Sequence, residues 1–199
     1  GNRAFIKPSE ATPATSALLE KLISQYFTDD EVAVACGDVD VAQAFVKLPF
    51  DHLIYTGGET VAKHIMRDAA ENLVPLTLEL GGKSPVIVSS SADLKLTAKR
   101  IAFGKYFNAG QICIAPDYLL IDEDRLEAFL LDLKSAVEHA DSSQGSADSV
   151  SIVNERHRQR IDYLIAEGES TNARVMRFSG HNQSAYQLTV VINPSADAG

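Results

Sequence analysis

The chain has 199 residues, of which 45% are hydrophobic and 23% are charged, a composition typical of one large domain or two small ones. The formal net charge of −9, with no basic stripe to offset it, argues against nucleic acid as a partner. No apolar run reaches the roughly 18 residues of a membrane-spanning helix, and no signal peptide is evident, so no membrane partner is expected.

The two cysteines, Cys36 and Cys113, are too few for a disulfide framework, and no export signal accompanies them. We therefore expect reduced thiols in a cytoplasmic protein. Cys36 follows the apolar run 32–35 and is expected to be a small core residue. The five histidines show no metal-ligand spacing with either cysteine, so no metal site is predicted.

The first part of the chain alternates short strands with amphipathic helices. Strands are predicted at 4–6, 31–35, 52–55 and 74–80. Thr12 and Pro13 predict the start of a helix. Its apolar residues have the spacing of a core-facing helix: Leu18, Leu19, Leu22, Ile23, Tyr26 and Phe27. The alternation predicts an α/β fold with a parallel, Rossmann-like sheet and crossover helices.

The strand 74–80 ends in a carboxylate. Leu76, Leu78 and Leu80 alternate with polar residues, so Glu79 is expected on the opposite face, at the strand's carboxyl end. Ligands of open α/β sheets gather at that edge. The glycine pair 81–82 then breaks the strand, and we divide the chain there into domains 1–80 and 81–199.

The second part restarts the strand–helix pattern and carries the second cysteine between two elements. In the first part, Asp38 predicts the start of a further helix. In the second part, the Ser/Asp/Gly-rich stretch 141–149 predicts a mobile loop. The predicted elements are strand 85–88, helix 92–107, strand 117–121, helices 124–140 and 154–167, and strands 173–178 and 187–192.

Two strand-end segments are candidates for binding a nucleotide. Thr56-Gly57-Gly58 lies between a strand and a helix, where backbone N–H groups can hold a diphosphate, although Glu59 beside it would repel a phosphate. Lys7 and Glu10 follow the first strand, where a carboxylate can accept hydrogen bonds from ribose. From the pattern alone, an ordinary tight turn and a solvated loop are the favoured interpretations of these residues.

Cys113 and Glu79 are candidates for covalent catalysis. A thiolate can attack carbon, and a carboxylate with a raised pKa can act as its base or deprotonate a water. Spacing alone leaves other readings open: Glu79 as a strand-end acid paired with Lys63 or Lys83, Cys113 as a buried thiol, or a cysteine–histidine pair.

Four segments, 1–13, 55–58, 78–85 and 108–113, resemble in their order the motifs of the aldehyde dehydrogenase superfamily. Glu79-Leu-Gly-Gly-Lys83 and Gly110-Gln-Ile-Cys113 are the most specific of them. The run 110–118, Gly-Gln-Ile-Cys-Ile-Ala-Pro-Asp-Tyr, most resembles the branch that contains class 3 and coniferyl aldehyde dehydrogenases.

The resemblance implies an oxidoreductase that converts a small-molecule aldehyde to a carboxylic acid. Cys113 corresponds to the nucleophile, which forms a thiohemiacetal and, after hydride transfer to NAD(P), a thioester. Glu79 corresponds to the general base that activates water to hydrolyse the thioester. The backbone N–H of Cys113 would supply half of an oxyanion hole.

The resemblance also implies that 1–80 is part of the NAD-binding domain and 81–199 part of the catalytic domain. It assigns seven residues to the cofactor: Lys7 and Glu10 to the adenosine ribose, Thr56, Gly57 and Gly58 to the diphosphate, and Leu80 and Gly81 to the nicotinamide. Glu10 favours NAD because its charge would repel a 2′-phosphate, and NADP is the alternative.

The chain departs from the family pattern in three ways. Segment 57–62 lacks a serine and the last glycine of Gly-Ser-Thr-x-x-Gly. The family's oxyanion-hole asparagine and its Glu-x-Phe-Gly-Pro block are absent, as are most dimer contacts. We therefore expect an internal fragment, weak or inactive alone, of a homo-oligomeric enzyme. The alternatives are a coenzyme A-acylating relative, which would keep the same cysteine, and a non-catalytic nucleotide-binding fragment.

Overall fold

The computed structural model describes residues 1–143, 150–171, 173–178 and 187–195. The chain divides into two compact units, 1–81 and 82–199, each with its own hydrophobic core. The division falls within the glycine pair that follows the fourth strand. Across these ranges no helix has both the length and the apolar character needed to cross a membrane.

The N-terminal unit consists of two parallel strand pairs. Strand β1 pairs with β2 and β3 with β4, and helices α1 and α3 make the two crossovers. The predicted parallel α/β arrangement is confirmed. The elements are β1 (Ala4–Ile6), α1 (Pro13–Tyr26), β2 (Val32–Val34), α2 (Val39–Phe45), β3 (Leu53–Gly57), α3 (Glu59–Ala70) and β4 (Leu76–Leu80).

Local sequence signals explain where the first helices begin. Asp38 caps α2 through its Oδ1, which accepts a hydrogen bond from the Asp40 N–H at 3.2 Å. Thr12 is the N-cap of α1, but its hydroxyl donates to the Ser9 carbonyl at 3.4 Å and caps no N–H. Pro13 therefore supplies the main start signal of this helix, since its fixed φ suits the first position.

The apolar face predicted for α1 is wrong for four of its six residues. Leu18, Leu22, Tyr26 and Phe27 are 54%, 43%, 76% and 48% exposed. Only Leu19 and Ile23 are half-buried. The physical reason is the small size of the sheet beneath this helix. Helix α1 packs on β2, and the paired strands β1 and β2 have only three residues each. Two such short strands cover one side of the helix and leave the other side in solvent.

The core of the N-terminal unit lies between α3 and the pair β3–β4. Its buried residues are Leu53, Ile65, Ala69 and Val74. An aromatic group adjoins it, with the Phe45 ring centroid 4.9 Å from those of Phe5 and Phe50. Because Ile65 and Ala69 are four residues apart, they share the face of α3 that packs into this core.

The C-terminal unit contains one parallel and one antiparallel strand pair. Strand β5 runs parallel to β6, and β7 runs antiparallel to β8. The elements are β5 (Ser84–Val88), α4 (Leu94–Tyr106), β6 (Pro116–Ile121), α5 (Glu123–Ser143), α6 (Glu155–Ser170), β7 (Arg174–Phe178) and β8 (Leu188–Ile192).

The core of this unit forms where α4 and α5 pack together. Ala98 and Ala102 give α4 a small-residue face, and Phe129, Leu133 and Val137 of α5 are almost completely buried. Small residues opposite large ones let the helices approach closely. The mobile loop predicted for 141–149 is wrong at its start, because α5 continues to Ser143. Residues 144–149 lie outside the described residues.

Candidate active site

An ion pair follows the first strand. The Lys7 Nζ donates to the Glu10 Oε2 at 2.7 Å, and the Lys7 side chain is only 11% exposed against 52% for Glu10. The hydrogen bond from Lys7, helped by the residue's own backbone N–H, lowers the pKa of the Glu10 carboxyl. The two residues that were predicted to bind ribose therefore form one ion pair.

Tyr55, which the sequence did not single out, covers the glycine turn. A Cβ placed on Gly57 would lie 2.1 Å from the Tyr55 hydroxyl oxygen, so the ring requires glycine there. Removal from solvent raises the pKa of Tyr55, the hydrogen bond from the Gly58 N–H opposes this shift, and the Glu10 charge adds to it. The Glu10 charge and the Gly58 N–H thus both influence the pKa of the Tyr55 hydroxyl. We call these residues the N-terminal cluster: Lys7, Glu10, Tyr55, Thr56, Gly57 and Gly58.

The glycine turn of the N-terminal cluster has features that can accommodate an anionic group. Gly58 is the N-cap of α3 and provides no side-chain cap, which leaves the first-turn N–H groups available to an anion. A Cβ placed on Gly58 meets no heavy atom within 4 Å, so this backbone faces open space. Lys63 lies 2.5 Å from the Glu59 carboxylate and offsets the negative charge that would repel a phosphate.

Glu79 lies beside this cluster. In the parallel pair β3–β4 it stands opposite Thr56, and Leu80 stands opposite Gly57. The side chains of Thr77 and Glu79 are exposed, whereas the alternating leucines are half-buried, as predicted. The lysines proposed as partners of Glu79 pair elsewhere, Lys63 with Glu59 and Lys83 with Asp117.

Cys113 lies on the segment 107–115 between α4 and β6, which we call the cysteine loop. Its thiol is free and exposed, so the alternative of a buried thiol is wrong. The Ser84 hydroxyl donates to the Cys113 carbonyl at 3.3 Å and fixes the backbone at this residue. Cys36 is also free and exposed, which corrects its expected place in the core; it lies two residues beyond the end of β2.

The cysteine loop contains a left-handed turn. Asn108, Ala109 and Gly110 have φ values of 51°, 55° and 71°. The Asn108 side chain donates to the Gln111 carbonyl at 3.0 Å, and the Gln111 side chain donates to the Asn108 carbonyl at 3.0 Å. These reciprocal bonds hold a conformation that alanine adopts only at a cost.

Lys105 supports the turn from the last turn of α4. Its Nζ lies 3.3 Å from where a Cβ of Gly110 would be, so glycine is favoured there both by φ and by space. Desolvation lowers the pKa of the half-buried Lys105 ammonium, and Asp117 opposes the shift. The sequence did not indicate that Lys105 and Ser84 contact the cysteine loop. The pattern of a helix or a strand does not show which distant loop a side chain approaches.

The structure gathers the predicted cofactor residues and Glu79 in the N-terminal unit. Cys113 belongs to the C-terminal unit, so its meeting with Glu79 in one crevice stays a prediction. Within the described ranges no three histidine, cysteine, aspartate or glutamate side chains are grouped as metal ligands. The N-terminal unit therefore presents a glycine turn and a carboxylate at one strand edge, and the C-terminal unit presents an exposed thiol on a braced loop.

The chain is similar in sequence to known proteins over almost its whole length. A sequence model of the "Aldehyde dehydrogenase family" matches residues 1–198. The chain is 49% identical over 199 residues to a "Probable coniferyl aldehyde dehydrogenase" of Pseudomonas aeruginosa, covering 99% of this chain and 42% of that protein. It is 50% identical over 180 residues to a "Coniferyl aldehyde dehydrogenase" of a Pseudomonas species, covering 90% of this chain and 37% of that protein.

Solved structures show the same relationship. A substrate-bound state of Staphylococcus aureus AldH superposes with a TM-score of 0.87 at 36% identity, covering 100% of this chain and 44% of that one. A Staphylococcus aureus betaine aldehyde dehydrogenase in complex with NAD+ superposes with a TM-score of 0.79 at 25% identity, covering 96% and 40%. The chain thus spans less than half the length of the proteins that it matches.

Proposed function

The chain belongs to the aldehyde dehydrogenase family, and we propose that the intact protein oxidises an aldehyde to a carboxylic acid with Cys113 as nucleophile, Glu79 as general base and NAD as cofactor. The observation that carries the assignment of Cys113 is its exposed thiol on a loop whose backbone is fixed by Ser84 and by a braced turn. A nucleophile needs both access to the carbonyl carbon and a fixed direction of attack.

The proposed reaction uses the thiol twice. The Cys113 thiolate adds to the aldehyde carbon, with its backbone N–H donating to the developing oxyanion. When bound, NAD would supply the acceptor for the hydride that leaves this carbon, and a thioester would remain on Cys113. Glu79 then takes a proton from the water that attacks the thioester, the C–S bond breaks, and the carboxylic acid and the thiolate separate.

The N-terminal cluster would hold the cofactor. Thr56, Gly57 and Gly58 would face the diphosphate at the amino end of α3, and Lys7 with Glu10 would bind the adenosine ribose. Leu80 and Gly81, which follow Glu79, would lie near the nicotinamide. The exposed Glu10 carboxylate supports NAD over NADP, because it would repel a 2′-phosphate.

Coniferyl aldehyde or a related aromatic aldehyde is the proposed substrate, since relatives of that name share about half of the residues. We also propose a cytoplasmic location, supported by two free cysteines, and a homo-oligomer for the intact protein.

The test is a matched pair of cysteine variants in the intact protein. With coniferyl aldehyde and NAD, Cys113→Ala is expected to lose turnover by several orders of magnitude, and Cys36→Ala to retain it. NADH absorbance with and without added coenzyme A distinguishes water from coenzyme A as acyl acceptor. Full activity in Cys113→Ala would remove the thiol from the reaction, and a strict need for coenzyme A would replace hydrolysis by acyl transfer.

A further inference from the structure

The Gln111 side chain joins the cysteine loop to a distant segment. Its Nε2 donates to the Asn108 carbonyl at 3.0 Å and to the Ser151 carbonyl at 3.1 Å. Its Oε1 accepts from the Val153 N–H at 2.8 Å. The amide therefore binds both its own turn and the irregular segment that precedes α6, through its donor nitrogen and its acceptor oxygen.

The turn beside Gln111 requires such support. Two of its three left-handed residues, Asn108 and Ala109, carry a Cβ. Non-glycine residues remain in this conformation only where surrounding contacts over-determine it. The backbone N–H of Gln111 also donates to the Asn108 carbonyl, at 3.1 Å, so this oxygen receives two bonds from one residue.

Gln111 also precedes Cys113 by two residues in the chain. Only Ile112 separates it from Cys113, and the Ser84 hydroxyl holds the Cys113 carbonyl on the downstream side. The backbone that carries the thiol is therefore fixed at both ends: by the Gln111 amide before it and by Ser84 after it. Loss of the upstream bonds would free the turn to relax, and with it the direction of the Cys113 side chain.

We propose that Gln111 is a positioning residue for Cys113, whose side-chain amide couples the left-handed turn to segment 150–154 and so fixes the orientation of the thiol. The proposal rests on the function proposed above, because positioning matters only if Cys113 is the nucleophile. It assigns Gln111 no contact with substrate or cofactor.

The first measurement is iodoacetamide alkylation of the 199-residue chain, followed by peptide mapping of both cysteines. The variant Gln111→Leu removes all three side-chain bonds, whereas Gln111→Glu keeps an acceptor for Val153 and loses both donors. Gln159→Leu is the matched control, since Gln159 donates to Glu155 on the exposed face of α6. Cys36 lies in the other unit and reports any general change in reactivity.

We expect Gln111→Leu to slow Cys113 alkylation by about tenfold. Without these bonds the loop holds the thiol in its accessible orientation for a smaller fraction of the time, and the loss of one or two net hydrogen bonds changes that fraction by about this factor. Gln111→Glu should fall between it and the wild type, and Gln159→Leu should equal the wild type. The Cys36 rate should stay the same throughout. If Gln111→Leu does not fold, the intermediate rate of Gln111→Glu carries the test. A wild-type rate in both Gln111 variants would overturn the proposal.

The second measurement uses the intact protein and separates positioning from cofactor binding. In Gln111→Leu, kcat should fall by about tenfold, while the KM for NAD stays at its wild-type value because the N-terminal cluster is untouched. An increase in that KM with unchanged kcat would also overturn the proposal. Failure of the proposed function has a different signature, namely full turnover in Cys113→Ala whatever Gln111 does.

Discussion

The N-terminal cluster and the cysteine loop achieve their local order in opposite ways. Gly58 in the N-terminal cluster has an ordinary extended conformation, with φ of −83°, and one half-exposed ion pair joins Lys7 to Glu10. The cysteine loop has three consecutive left-handed residues, and its bonds reach 42 residues along the chain, from Gln111 to Val153. The proposed cofactor edge thus follows from regular strand ends, whereas the loop that carries the proposed nucleophile depends on tertiary hydrogen bonds.

The two units also differ in the depth of their cores. The C-terminal core contains Phe129, Leu133 and Val137, each almost fully buried. The N-terminal unit leaves one flank of α1 exposed, with Tyr26 at 76%. The braced loop therefore belongs to the unit with the more deeply buried core.

The largest effect is expected in the C-terminal core. Phe129→Ala leaves a cavity between α4 and α5 and should lower the free energy of unfolding by about 3–5 kcal/mol. Leu131→Ala is the control on the same helix, because Leu131 is 72% exposed, and its effect should stay within about 0.5 kcal/mol. Urea denaturation of the chain measures both. Similar losses in the two variants would mean that α5 is not the core helix.

A smaller effect of opposite sign is expected in the cysteine loop. Ala109→Gly removes the Cβ that opposes a φ of 55° and should raise the free energy of unfolding by about 1 kcal/mol. In a regular helix the same change is unfavourable: Ala166→Gly, on an exposed position of α6, should lower it by about 1 kcal/mol. Thermal unfolding of both variants gives the two signs, and a loss of stability in Ala109→Gly would show that the turn is not strained.

The smallest effect concerns the ion pair of the N-terminal cluster. Lys7→Met should raise the pKa of Glu10 toward its ordinary value, since the Lys7 hydrogen bond is the main cause of its depression. Because the folded pKa is depressed, the pair stabilises the fold above the unfolded carboxyl pKa of about 4.3, and this contribution is lost as pH falls through the folded pKa. For so exposed a pair it should be below about 1 kcal/mol.

Carboxyl NMR titration measures this shift directly. Lys63→Met is the matched control, because Lys63 is the main cause of the lowered pKa of Glu59. It should raise the Glu59 pKa and leave that of Glu10 unchanged. An unaltered Glu10 pKa in Lys7→Met would show that the two side chains are not paired in solution.

Sequence periodicity predicted the strands, most helices and the exposed position of Glu79, because alternation and helical spacing depend on neighbours in the chain. It failed for α1, whose apolar flank is exposed because the support beneath it is narrow. It also misplaced Cys36, since an apolar run before a residue does not show where the strand ends. The bracing by Gln111 and the cover by Tyr55 depend on tertiary approach, for which the local pattern carries no signal.

In the proposed mechanism, a water that Glu79 activates hydrolyses a thioester on Cys113. The direct test is a stopped-flow record of NADH formation by the intact protein carrying Glu79→Gln, with saturating coniferyl aldehyde and NAD. We expect a burst of about one NADH per active site, followed by a steady state slowed by roughly 100-fold or more. A steady-state rate equal to that of the wild type, with no burst, would contradict it.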